Sequence, residues 1–570
     1  MKSSGVEVTD PLQISNLLNE YFCSVGPNLV KKLPVLTSTC TDCIDKQVLN
    51  SIHVEPITSV ELCNVIYSLN IKKSCGPDGI GPRLVKDNMY LLCEPLTYIY
   101  NLSLMNGIVP DKLKIAKIIP LFKKGDEHLA CNYRPISLLS IFDKILEMLV
   151  YRRISNFFKK HNVLYKHQFG FRNNYSTTLA LLDVVDTCYK NLDQYNKIIG
   201  IYFDLQKAFD TVDHNILLHK LYAYGIRGVM YDWVKNYLTD RKQFTFVNNV
   251  SSDVGIVSCG VPQGSVLGPL LFLIYVNDIS NAVPNDKLKL FADDTNLFVY
   301  GSSLSNIEVD ANHYLKQMEL LFIKNKLSLN IKKTSYTVFD SRCKLSTDSS
   351  LNLFINGQKI AKVSSSKYLG VIIGCSLRWS EHVDYVYKKL VKFTSIFYKL
   401  RNYLPQQCLK KLYYAFIYPH ISYGLEVYGN TTTSQIDKLF KLNNKILRIL
   451  LNKPLCTPVV DLYTEMNTLP IPTLHEMLML MFVHKYVHHR HLLPEVFHDY
   501  FAENNSIHDY NTRERSGLHI FSVRTSFGQR CTLYRASKFW NDLPQYLKSM
   551  SSIASFKKNL KSFLIHRLCT

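Results

Sequence analysis

Three carboxylates stand where phosphoryl-transfer chemistry could use them. Asp204 closes the apolar run IIGIYF (198–203), and Asp293 and Asp294 sit side by side in KLKLFADDTNLFVY. Taken singly, each has an ordinary reading, since an Asp pair at a turn is usually turn chemistry. Taken together, carboxylates at the ends of neighbouring strands can converge and hold two Mg²⁺ ions about 3.5–4 Å apart, stabilising the attacking and leaving oxygens of a phosphoryl transfer.

Such a cluster needs elements to place it. The run 198–203 predicts a short buried strand ended by Asp204, and 287–300 predicts a strand, a tight turn and a strand, with both aspartates at the hairpin tip. A long helix is predicted over 140–160. Another is predicted over 11–35, with Ile14, Leu17, Leu18, Tyr21 and Phe22 at helical spacing, and a third begins after Ser59 and stops before the Gly/Pro turn at Cys75-Gly76-Pro77-Asp78-Gly79. The helix over 11–35 and the one after Ser59 read as scaffolding. Beyond about 385 the chain turns helical and basic, and 456–570 mixes short helices with Arg/Lys-rich loops. There is no internal repeat.

Length and charge frame the site. A chain of 570 residues exceeds one compact core and should divide into several domains. With 67 Lys+Arg against 46 Asp+Glu the net charge is +21, so a polyanion is the expected partner. The 15 cysteines follow no repeating frame, which favours a reduced chain over a disulfide scaffold. Cys40 and Cys43 form a lone CxxC without the further ligands of a zinc site, and read as a surface loop. His484 and His488 are spaced to share a helix face, with His489 and His491 close by; lacking a third ligand they read as a polar helix face. The N-terminal residues carry no apolar signal core. The uncharged stretch Val254–Asn277 is broken by Gly and Pro, so no membrane partner is expected.

Longer strings around the carboxylates carry a resemblance. Phe203-Asp204-Leu205-Gln206-Lys207-Ala208-Phe209-Asp210 resembles the first palm motif of reverse transcriptases from non-LTR (LINE-type) retrotransposons. Gly260-Val261-Pro262-Gln263-Gly264-Ser265 is similar to their second, and Phe291-Ala292-Asp293-Asp294 to their third. Tyr133-Arg134-Pro135-Ile136-Ser137-Leu138 and Gln168-Phe169-Gly170-Phe171-Arg172 look like fingers motifs. Leu329-Asn330-Ile331-Lys332-Lys333-Thr334 and Tyr368-Leu369-Gly370-Val371 look like those that close the palm, and Tyr418-Pro419-His420 like the thumb. Residues 7–35 look like the linker ahead of the polymerase. Phe539-Trp540-Asn541-Asp542-Leu543-Pro544 resembles the end of Jockey- and chicken-repeat-like elements.

The resemblance implies an α+β right-hand polymerase with fingers, a palm built on an antiparallel sheet and a helical thumb, plus a mainly helical C-terminal region. The expected divisions are an extension over 1–68, fingers 69–195, palm 196–376, thumb 377–455 and a basic region 456–570. Asp204, Asp293 and Asp294 would be the metal ligands, for two Mg²⁺ with Mn²⁺ as a substitute. Phe209 would be the steric gate against a ribose 2′-OH, with ordinary core as its bland reading. Gln263 would contact the nucleotide or template, and Gly264 would allow close backbone approach. Lys333, or Lys332 beside it, would protonate the leaving pyrophosphate. Arg134 with Lys123 or Lys124 would clamp the triphosphate, the bland reading of the lysines being a solvated basic face.

The implied partners are an RNA template, a DNA primer and dNTPs. The implied locations are a cytoplasmic ribonucleoprotein and, at integration, the nucleus. The family often carries an endonuclease ahead of the polymerase, and 570 residues beginning in the linker leave no room for one. Nor does any segment after the thumb read as an RNase H domain. The competing readings are a nucleic-acid-binding remnant without catalysis and an RNA-dependent RNA polymerase, the latter disfavoured by Phe209.

Overall fold

A computed structural model describes residues 1–3, 6–34, 47–284, 286–340, 351–507 and 517–569. The Cys40/Cys43 pair lies outside the described residues. In chain order, the strands that position the site are β1 (Ile115–Phe122), β2 (Tyr133–Leu138), β3 (Lys197–Phe203), β4 (Arg241–Val247), β5 (Val250–Ser251), β6 (Gly255–Val257), β7 (Leu288–Phe291), β8 (Asp294–Gly301), β9 (Ser335–Phe339), β10 (Ala361–Lys362), β11 (Ser365–Tyr368) and β12 (Val371–Gly374).

The central sheet has the order β10–β9–β3–β8–β7, antiparallel except where β10 joins β9. After Lys197, β3 carries no charged residue and both of its faces are buried. Ile199, Ile201 and Phe203 enter a core shared with the helices Ile141–Lys160 and Leu267–Val276, whereas Ile198 and Tyr202 enter another shared with the helix Thr177–Asp193 and the C-terminal helices. Alternating sides at every residue, the strand ties the two cores together.

A second sheet, β2–β1–β4–β5 with β6 also on β4, supports the hairpin of β1 and β2. The predicted 140–160 helix is Ile141–Lys160, and the one expected over 11–35 is Pro11–Val30, opened by Asp10, whose carboxylate accepts the Gln13 N–H at 2.9 Å. After β12 every described helical or strand element is a helix. Among the described residues no helix is long and apolar enough to cross a bilayer.

Two expectations need correction. Cys63 and Cys93 are disulfide-bonded because the helices Ser59–Tyr67 and Met89–Asn106 pack together, so the chain is not wholly reduced in this structure. The histidines are not a solvated polar face. His484, His488 and His489 bond through Nε2 to the carbonyls of Met550, Lys548 and Ser551 at 2.7, 2.8 and 2.6 Å. They staple their helix to the segment that leads into the last helix, Ile553–Cys569.

Candidate active site

The three carboxylates meet because of strand register. Phe203 pairs with Thr295, so one step further Asp204 comes off β3 beside Asp294, the first residue of β8. β7 and β8 pair from Phe291↔Asp294, leaving Ala292-Asp293 as a two-residue turn with Ala292 at φ 56°. The expected hairpin is therefore present, with Asp293 at its tip. Asn330 donates its N–H to the Asp204 carbonyl at 2.8 Å and fixes the segment that carries Lys333.

A cleft of about 690 Å³ opens over this floor. Of the residues singled out in the sequence, Asp204, Asp293, Lys333, Phe209, Gln263, Arg134 and Lys124 all line it. Asp294 does not line it, but lies close enough to feel the charges of Asp293 and Asp204. Gly264 sits behind the cleft at φ 126°, where a Cβ would meet the Ser137 carbonyl oxygen at 2.6 Å. The close approach that needs this glycine is therefore to the protein's own β2.

The electrostatics are those of a crowded anionic floor under a cationic wall. Asp293 and Asp294 reach water but are recessed by the cleft walls. Burial, then the neighbouring carboxylates, push Asp294 up to about 6, and Asp293 rises in the same direction, chiefly by burial. Lys333 Nζ stands 3.4 Å from Asp204 Oδ2, whereas Lys332 does not line the cleft. Lys123 and Lys124 both line it from the end of β1, and Lys123 is held below the usual lysine range by burial and by Arg134 and Lys333. Arg134 reaches the same wall from β2, opposite Leu121.

Phe209 fits both of its readings. It lines the cleft, stacks on Phe272 with centroids 4.3 Å apart, and meets Phe171 edge-on at 6.0 Å. Gln263 is oriented from behind by Asp210, whose Oδ1 accepts its Nε2–H at 2.7 Å. Burial raises Asp210 to about 6.

Several residues acquire roles that the sequence reading left unassigned. The helix Pro11–Val30 is not mere scaffolding. Tyr21, Val25 and Leu29, one helical stripe, line the cleft, and Gly26 packs so close that a Cβ would lie 2.1 Å from the Asp210 carbonyl oxygen. Glu147 accepts the Val266 N–H at 2.6 Å and the Tyr237 hydroxyl, anchoring the chain just after Gly264. Gln168 bonds the turn residue Ala292. Asp210 and Gln168 both sit inside quoted motifs; Glu147 and the helix stripe carry no local chemical signature.

Among the described residues no three His, Cys, Asp or Glu side chains close a metal cage by themselves. That is compatible with magnesium, which keeps several waters and is bound through one or two carboxylates plus substrate phosphates. The donor set is suitable, being hard carboxylate oxygens that repel one another and gain from a divalent cation.

A carboxylate floor at strand ends beneath lysine and arginine side chains is the kind of site that handles polyphosphates. Residues 122–373 match the family described as reverse transcriptase (RNA-dependent DNA polymerase). The chain is 29% identical over 415 residues to the RNA-directed DNA polymerase from mobile element jockey of Drosophila melanogaster, covering 71% of this chain and 45% of that one. It is 26% identical over 441 residues to the probable RNA-directed DNA polymerase from transposon BS of the same fly, covering 75% and 48%. To the probable RNA-directed DNA polymerase from transposon X-element it is 26% identical over 409 residues, covering 70% and 44%. The chain thus spans about half the length of the curated relatives it matches. These matches bear out the resemblance to polymerases of non-LTR retrotransposons.

Proposed function

We propose that this chain extends a DNA primer along an RNA template by two-metal phosphoryl transfer, as the polymerase of a non-LTR retrotransposon. One observation carries the reading: Asp204, at the end of β3, and the adjacent pair Asp293 and Asp294, 89 and 90 residues further on at the β7–β8 turn, form the floor and flank of one cleft whose wall is Lys123, Lys124, Arg134 and Lys333. Asp204 and Asp293, with Asp294 in the same negative cluster, would hold the ions, which when bound neutralise charge building on the transferred phosphoryl group. Lys123 or Lys124 and Arg134 neutralise and orient the triphosphate. Lys333 stands where a proton can pass to the departing pyrophosphate. Gln263, steadied by Asp210, faces the nucleotide or template, and Phe209 closes the side where a ribose 2′-OH would project.

In this reading 69–195 are the fingers, 196–376 the palm and 377–455 the thumb, with the helix stripe of Tyr21, Val25 and Leu29 forming a wall of the same cleft. Extension of an oligo-DNA primer on homopolymer RNA with Mg²⁺ tests it. Incorporation of dNTPs is expected, and it should vanish in Asp293→Asn while RNA binding persists. A wild-type chain that binds RNA and incorporates nothing would overturn the proposal in favour of a binding remnant.

A further inference from the structure

Away from the carboxylate cleft, and sharing no lining residue with it, a second cavity of about 680 Å³ opens in the C-terminal helical region. Its walls come from 429–436, the start of the helix Ile471–His488, and the helix Thr532–Asn541. The charged members are Arg535, Lys538, Glu476 and Asp542, of which Glu476 is engaged by Arg567. Tyr534 and Phe539 supply aromatic surface.

His475 is the informative residue here. Its side chain is only 3% exposed, and its Nε2 has no hydrogen-bond partner. The backbone of Glu426 bonds the ring, and a carbonyl only accepts, so the nitrogen facing it carries the proton. Burial, with Arg535 nearby, pushes the imidazole down to about 3, so it stays neutral. Nε2 is therefore a bare acceptor. A buried acceptor without a donor is costly, and neither a phosphate nor a carboxylate ion could supply one.

The cavity thus offers three things together: cations for an anion, aromatic faces for a flat ring, and an acceptor for a hydroxyl or amine. Arg535 spends one nitrogen on Asn430 Oδ1 at 3.0 Å, which fixes the guanidinium at the wall. We propose that this cavity is a second nucleic-acid site that seats one nucleotide of single-stranded RNA. Arg535 and Lys538 take its phosphate, Tyr534 or Phe539 its base, and His475 Nε2 its 2′-hydroxyl. The choice of RNA as ligand rests on the reverse transcriptase reading; the cavity and its chemistry do not.

The test is fluorescence anisotropy of the full chain with a labelled single-stranded RNA of about 15 nucleotides, and with DNA of the same sequence, across a salt series. Arg535→Ala with Lys538→Ala should weaken RNA binding on the order of tenfold and flatten the log–log salt slope by about 1.4, near 0.7 for each lost phosphate contact. Primer extension at saturating template should stay within about twofold. Lys538→Ala alone, at an exposed side chain, should give about half of the slope change and decides the matter if the double variant fails to fold. RNA affinity and slope equal to wild type in these variants would overturn the site, and DNA binding as tightly as RNA would overturn the ribose contact and with it the RNA assignment. A wild type that extends primers beside unaffected variants removes the pocket and keeps the polymerase; a wild type that extends nothing beside variants that lose RNA does the reverse.

Discussion

Gln168 grips both ends of Ala292's backbone: its Oε1 accepts the Ala292 N–H at 2.9 Å and its Nε2 donates to the Ala292 carbonyl at 3.4 Å. The same Oε1 accepts the Gly170 N–H, and a Cβ on Gly170 would lie 2.3 Å from the Ala292 nitrogen. Ala292 is held in a left-handed conformation directly before Asp293, so this buried amide sets where the hairpin tip stands. Replacing Gln168 by Leu leaves two buried N–H groups, those of Ala292 and Gly170, without an acceptor, at a cost of about 1–3 kcal/mol for each, so the tip should leave its productive position. The expected outcome is a fall in kcat for primer extension of about 10- to 100-fold with RNA affinity unchanged. Full extension rate in Gln168→Leu would show that the turn holds itself.

Local pattern made the strands and the hairpin legible, because IIGIYF runs straight into Asp204 and the alternation of KLKLFADDTNLFVY is interrupted at Asp293-Asp294. The convergence of Lys123, Arg134, Gln263 and Lys333 on Asp204 came only through the family resemblance, since no residue spacing encodes contacts made across three separate segments. The helix Pro11–Val30 read as scaffolding because its inward stripe is amphipathic like any other; that the stripe faces the cleft depends on Gly26 fitting against Asp210. The histidine cluster failed for the same reason. Its partners are backbone carbonyls 60 to 66 residues away, which carry no side-chain signal.

Lys333 and Lys332 were indistinguishable by sequence, and the structure separates them. Only Lys333 lines the cleft and pairs with Asp204, and because both groups are exposed the ion pair adds little stability. Its value should be catalytic. Lys333→Ala is expected to lower kcat by about a hundredfold or more, the usual worth of a positioned proton donor, while Lys332→Ala stays within about twofold. Equal losses in single-turnover extension by the two variants would remove Lys333 from the proton-transfer role.

Phe209 has a packing role and a cleft-facing edge, so its substitution has two consequences that must be read separately. Phe209→Ala removes the stack on Phe272 and should cost stability, about 1–3 kcal/mol for a half-buried ring, below the full-burial figure. It also opens the cleft beside Asp204. Relative use of rNTPs over dNTPs should rise on the order of tenfold or more, measured as the ratio of kcat/KM values so that lost stability cancels. An unchanged ratio with lowered stability would leave Phe209 as core alone.

Asp294 should make stability and activity respond to pH in opposite directions. In the folded chain without divalent metal it keeps its proton up to about 6, against an ordinary value of 3.8. Between those values the folded state binds more protons than the unfolded one, so stability falls as pH rises and the loss is complete above about 6. Metal binding needs the ionised carboxylate, so Mg²⁺-dependent extension should climb through the same window. Asp294→Asn removes the titration: at about pH 8 without Mg²⁺ it should melt at a higher apparent temperature than wild type, and the difference should close below about pH 4. Asp210 titrates with the same sign but is present in both proteins, and so cancels. Adding Mg²⁺ should narrow the gap by stabilising wild type alone. A lower melting temperature for Asp294→Asn at the alkaline end would mean that the Asp294 carboxylate is not destabilised by its neighbours.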